Sequence, residues 1–180
     1  MKKLEIACFN LESALIAQES GADRVELCAD IHLGGTTPSI EIIQKAKANL
    51  IIPIYIMIRP RGGNFVYSDA EFQQMKDAIL KLKTLAINGF VFGILNEDHT
   101  INSNQNTELV NLAKPILCTF HRAFDEVINY KIALEEVVSC GFSTILTSGT
   151  FPNVMEGKEV LNALVLQAEN RITIMPGGGL

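Results

Sequence analysis

The chain has 180 residues, enough for one domain with a sizeable core and too few for two comfortable ones. Apolar residues make up 48% and charged ones 19%, which excludes a disordered protein. A formal charge of −5 argues against binding nucleic acid or an anionic membrane surface, and no apolar run is long enough to span a bilayer.

The N-terminal Met1-Lys2-Lys3 resembles a secretory n-region only briefly, because Glu5 and Asn10 interrupt the apolar segment that should follow. A cytoplasmic protein is expected. Cys8, Cys28, Cys118 and Cys140 form no CxxC pair, so free thiols in a reducing compartment are expected as well.

The first apolar run, Leu4 to Phe9, reads as a strand, and Asn10 as the cap of a helix that Gly21 ends. A second strand covers Arg24 to Cys28. After a loop containing Gly34-Gly35, Thr37-Pro38 opens a second helix reaching about Ala48. Ile54 to Ile58 is a β-branched run bounded by prolines, hence a buried third strand, and it stops at Arg59-Pro60-Arg61-Gly62-Gly63. Two guanidiniums so close, leaving a core strand, call for anionic partners. Ser68 and Glu71 form a capping box, and Phe72, Met75, Ile79, Leu82 and Ala86 make one apolar stripe behind it.

Gly89 to Phe92 is the fourth strand, and the Asn-rich segment Asn96 to Asn106 is expected to be an exposed loop before a helix through Leu109 and Leu112. Leu117 to Phe120 is the fifth strand, ending in His121-Arg122-Ala123-Phe124-Asp125. A helix over Tyr130 to Cys140 closes at Gly141, the sixth strand runs Thr144 to Leu146, and Thr147-Ser148-Gly149 follows. A helix around Val160 to Ala168 leads to a seventh strand, Ile172 to Met175, before Pro176-Gly177-Gly178-Gly179-Leu180.

Strand and helix alternate throughout, which calls for a parallel sheet. Polar groups stand at the C-terminal end of nearly every strand, as the ring of loops in a TIM-type (βα)8 barrel requires. No GxGxxG or P-loop pattern follows any strand, so the open doubly wound alternative lacks its nucleotide grip. The expectation is an α/β, TIM-type (βα)8 barrel over residues 1–180, a single domain lacking the last strand and its flanking helices.

Six motifs in order are similar to those of the CutC family of copper homeostasis proteins. They are Glu5 with Glu26-Leu27-Cys28; Gly34-Gly35-Thr36-Thr37-Pro38-Ser39; Met57-Ile58-Arg59-Pro60-Arg61-Gly62-Gly63; Thr119 to Asp125; Ile145-Leu146-Thr147-Ser148-Gly149; and Ile174 to Gly179. The resemblance implies a cytoplasmic TIM barrel, a homo-oligomer, and a link to copper handling. One departure stands out. Family members carry Glu-x-Cys on the first strand, whereas here Ala7 takes that place and the thiol is at Cys8. Side chains alternate along a strand, so Cys8 is expected to face the helix layer instead of the barrel interior.

Two chemistries follow for the strand ends. Cu(I) prefers sulfur donors, making Cys28 and Cys8 the candidate metal ligands, with Met57 as a further donor. Alternatively, an enzyme or sensor would bind a small phosphorylated or carboxylated metabolite. Arg59 and Arg61 would clamp the anion, with Thr147, Ser148, Gly177 and Gly178 lining the site. Glu5, Glu26, His121 and Asp125 would be the candidate catalytic groups. His32 and His99 read as surface residues.

Overall fold

A computed structural model describes residues 3–179. The chain divides into two compact units, Met1–Asn64 with Asp69–Val91, and Phe65–Ser68 with Phe92–Leu180. Among the described residues, seven strands alternate with six α-helices, as the sequence pattern predicts.

In the first unit, β1 (Glu5–Cys8), β2 (Arg24–Leu27), β3 (Ile54–Met57) and β4 (Gly89–Phe92) pair in parallel and in sequence order. Between them run α1 (Leu11–Glu19), α2 (Ile40–Asn49) and α3 (Asp69–Lys83). Short polar side chains start the first two of these helices by accepting orphan amide protons. Asn10 takes the Ser13 N–H at 2.7 Å, and Ser39 takes that of Ile42 at 3.4 Å. The second helix therefore begins two residues later than Thr37-Pro38 predicts, because Thr37 is engaged with the Arg59 backbone instead. The stripe of α3 buries Phe72, Met75, Ile79 and Leu82, while Ala86 lies beyond its end in a left-handed conformation.

Parallel register sets the side chains of this unit in rows. Glu5 stands beside Arg24, and Ala7, Glu26, Tyr55 and Gly89 form the next row. Cys28, Tyr55, Met57 and Val91 cluster with Phe9. A Cβ at Gly89 would lie 2.5 Å from three atoms of the Tyr55 ring, so the aromatic ring occupies the space a side chain would need. Gly89→Ala is expected to cost about 1–3 kcal/mol through overpacking, read as a lower urea midpoint with unchanged slope.

The second unit holds β5 (Leu117–Phe120), β6 (Thr144–Thr147) and β7 (Thr173–Pro176), also parallel and in order, with α4 (Ser103–Ala113), α5 (Tyr130–Cys140) and α6 (Lys158–Ala168). Phe92, Phe120, Phe124 and Phe142 form a ladder of tilted and edge-on rings in its core. Gly141 ends α5 at φ 92°, as predicted.

The segment expected to be a polar loop is shorter than predicted, since α4 already starts at Ser103, capped by Asn102. Asn106 is fully buried, its amide donating to the Ile94 carbonyl at 2.8 Å and accepting from the Ile94 N–H at 3.1 Å. A polar residue there does the work of a neighbouring strand, and composition alone hides that role. No helix among the described residues is long and apolar enough to cross a membrane.

Candidate functional site

The two units each carry a constellation of polar groups. In the first, β1 and β2 bring Glu5, Arg24 and Glu26 together by register. The Arg24 Nε donates to Glu5 Oε2, and its guanidinium carbon stands 4.2 Å from the centre of the Tyr55 ring. Burial raises the Glu5 carboxyl above its ordinary range, with Arg24 opposing. Glu26 is 4% exposed. Burial, reinforced by the Glu5 charge, pushes it up to about 7, against the pull of the Cys28 hydrogen bond and Arg24.

Cys28 continues the face of Arg24 and Glu26, and its thiol donates to Glu26 Oε1 at 3.3 Å. Burial and the adjacent Glu26 charge push this thiol strongly upward, so it holds its proton in the absence of a partner cation. Cys28 and Met57 both converge on Gly35. A Cβ there would lie 3.4 Å from Cys28 Sγ and 3.7 Å from Met57 Cε. The glycine thus leaves a cradle bordered by the two sulfur-bearing side chains.

Cys8 lies elsewhere. The Cys28 N–H donates to the Cys8 carbonyl at 2.8 Å, so the main chains are neighbours. Cys8 is level with Leu27, however, whereas Cys28 shares the face of Glu26, so the two thiols point to opposite sides of the sheet. Cys8 Sγ donates to the Ile6 carbonyl and interacts with Ser13 of α1. The structure therefore does not bring Cys8 and Cys28 together as one pair of donors, and the one-residue register shift is the reason. Among the described residues, no group of three or more His, Cys, Asp or Glu is placed to hold a metal ion.

Arg59 and Arg61 are placed differently from the expected anion clamp. Arg59 is 4% exposed. Its Nη1 donates to the Leu33 carbonyl at 2.8 Å and the Gly35 carbonyl at 2.9 Å, and Nη2 donates to that of Gly63 at 2.7 Å. Arg61 donates from Nε to Glu71 at 2.6 Å and from Nη1 and Nη2 to Asn64. The anionic partner that the sequence calls for exists for Arg61. Arg59 is held by backbone carbonyl dipoles.

In the second unit, His121 sits at the end of β5, buried, with its ring 4.8 Å from that of Phe65. Its Nδ1 accepts the Ala123 N–H at 3.3 Å, which places the proton of the neutral ring on Nε2. Asp125 organises the neighbouring loops. Its Oδ1 accepts from the Thr147 hydroxyl and from the N–H groups of Ser148 at 3.0 Å and Thr150 at 3.1 Å. Its Oδ2 accepts from Arg122 Nε at 2.7 Å.

Thr147 and Ser148 are fully buried and serve this network, with Ser148 Oγ accepting from Arg122 Nη2 at 2.9 Å. The Gly177 N–H donates to the Thr147 carbonyl at 3.0 Å, and the Gly178 carbonyl accepts from Val154. His32 and His99 are exposed, as predicted.

Sequence reasoning overlooked Arg24. For Arg24 the signal was available: Arg24, Glu26 and Cys28 alternate, so a strand that turns Glu26 toward a site turns Arg24 the same way.

Comparison with known proteins places the chain. Residues 2–180 match the CutC family. A copper homeostasis protein cutC homolog of Homo sapiens is 44% identical over 177 residues, which are 98% of this chain and 65% of the relative. A CutC family protein of Proteus mirabilis is 44% identical over 180 residues, covering 100% of this chain and 72% of the relative. The crystal structure of CutC from Streptococcus agalactiae has a TM-score of 0.95 and 36% identity, covering 100% of this chain and 89% of that one. The chain thus spans just under two thirds of the human relative's length. By sequence and by structure alike, it belongs to the CutC family of copper homeostasis proteins.

Proposed function

We propose that the chain serves copper homeostasis by taking Cu(I) as cargo at Cys28, with the Met57 thioether as second donor. The observation that carries this reading is the cradle over Gly35, where the two sulfur side chains converge. Cu(I) is soft and accepts low coordination numbers, so thiolate plus thioether suits it, whereas the described residues offer no cluster for a harder ion. Binding requires the thiolate. As the sulfur–copper bond forms, the Cys28 proton passes to Glu26, whose carboxylate already accepts it in a hydrogen bond.

The same reading places the protein in the reducing cytoplasm, where free buried thiols persist. It also takes the chain as a single (βα)-barrel domain over residues 1–180, acting as a homo-oligomer. The likeness to the Streptococcus agalactiae structure supports the fold.

Anaerobic titration with Cu(I), competed against a chromophoric chelator, tests the cargo site. Cys28→Ser is expected to abolish one-to-one binding, Met57→Leu to weaken it by tenfold or more, and Cys8→Ser to leave it unchanged. Loss of binding in Cys8→Ser with retention in Cys28→Ser would overturn the assignment. The other reading makes the protein an enzyme or sensor that grips an anionic metabolite through Arg59 and Arg61, with Glu5, Glu26 and His121. It is less favoured, because both guanidiniums already serve loop carbonyls and Glu71.

A further inference from the structure

One guanidinium of the second unit is placed unlike Arg59. The side chain of Arg122 is 42% exposed, against near-complete burial for Arg59. A guanidinium carries five N–H donors. Among the described residues, the Arg122 Nε proton goes to Asp125 Oδ2 and one Nη2 proton goes to Ser148 Oγ. Three donors on its outer edge are left without a protein acceptor.

What holds this group in place is rigid. Asp125 is fixed by the Thr147 hydroxyl at the end of β6 and by the N–H groups of Ser148 and Thr150 in the loop that follows. Asp125 thereby spreads its charge over that loop while orienting Arg122 through Nε alone. The carboxylate positions the guanidinium and leaves its outer edge open.

The other side of the guanidinium meets the glycine turn after β7. A Cβ at Gly178 would lie 2.7 Å from both Cζ and Nη1 of Arg122, so the planar group rests on the bare face of this residue. Gly178 and Gly179 have φ values of 111° and 70°, a conformation that L side chains rarely adopt. Among the described residues, neither of their N–H groups donates to the protein, although the Gly178 carbonyl accepts from Val154 and the Gly177 N–H donates to Thr147. Consecutive amides in such a turn form a concavity that suits an anion.

We propose that Arg122, with the backbone amides of Gly178 and Gly179, binds the phosphoryl group of a small metabolite. Three guanidinium donors beside two amides suit a tetrahedral oxyanion with three free oxygens better than a planar carboxylate, which offers two. This site lies wholly in the second unit and does not depend on the sulfur cradle of the first.

The test is calorimetric titration of the intact chain with inorganic phosphate, using acetate as the carboxylate comparator. Saturable phosphate binding is expected, at least tenfold tighter than that of acetate. Arg122→Ala should weaken it tenfold or more, and Arg122→Lys should weaken it severalfold because charge remains while the fork is lost. An Arg122→Ala protein that binds phosphate as tightly as the parent, or a parent that shows no saturable binding, overturns the proposal.

Should Arg122→Ala fail to fold, phenylglyoxal labelling of the parent protein decides instead. Phosphate is expected to slow modification of Arg122 at least fivefold in peptide maps. Labelling indifferent to phosphate overturns the proposal equally. Neither result bears on Cu(I) uptake at Cys28.

Discussion

Arg59→Ala is expected to lower the free energy of unfolding by about 3–5 kcal/mol, the range for removing one partner from a buried charge-assisted cluster. The side chain joins three loop carbonyls, those of Leu33, Gly35 and Gly63, and so ties the turn after β2 to the turn after β3. Removing it leaves the buried Gly35 carbonyl without its donor and opens a cavity where the guanidinium lay. Arg59→Lys should fall between the two proteins, because a single ammonium cannot reproduce the fork. Urea denaturation measures this directly, and in thermal unfolding the loss should appear as a drop on the order of 10 °C. A change below about 1 kcal/mol would show that water replaces the guanidinium freely, and the clasp role would fail. The prediction also bears on function. A residue whose loss unfolds the turn carrying Gly35 will also disturb the Cys28–Met57 cradle, so Arg59 variants need a stability measurement before any binding result is read.

The contrast between Arg59 and Arg122 shows what a sequence encodes openly and what it hides. Alternation of strand and helix was legible because most strands are short apolar runs and α1 begins at a polar cap, Asn10. The facing of Cys8 was legible too, since period two along β1 follows from backbone geometry alone. Partners were not. Carbonyl acceptors have no residue type, so nothing in Leu33, Gly35 or Gly63 announces that they receive Arg59. The pairing of Glu5 with Arg24 depends on the register between β1 and β2, which no local pattern specifies. Asn106 was hidden for a related reason: its amide stands in for backbone groups, and in sequence it merely adds to a polar stretch.

The buried carboxylate of Glu26 should set the pH dependence of stability in the metal-free protein. Its folded value near 7 stands above the ordinary Glu value of roughly 4.3, so the native state binds the proton more tightly than the unfolded chain does. Between these limits the folded protein holds more protons, and stability must therefore fall as pH rises. The contribution is fully present below about pH 4.3 and is lost by the time pH has passed through about 7. The shift corresponds to about 3–4 kcal/mol. The charged groups around it are Glu5, which reinforces the shift, and Arg24, which opposes it, while the Cys28 thiol donates to the ionised form. Glu26→Gln keeps an oxygen to accept the Cys28 thiol and removes the ionisation. Near pH 4.5 the variant and the parent should have similar urea midpoints, and above pH 7.5 the variant should be the more stable by about 3–4 kcal/mol. Comparing the two proteins cancels every other titrating group to first order. If their stabilities run parallel from pH 4.5 to 8, Glu26 is ionised throughout, and the energetic cost of burying it is met by Arg24 to a greater degree than the geometry indicates.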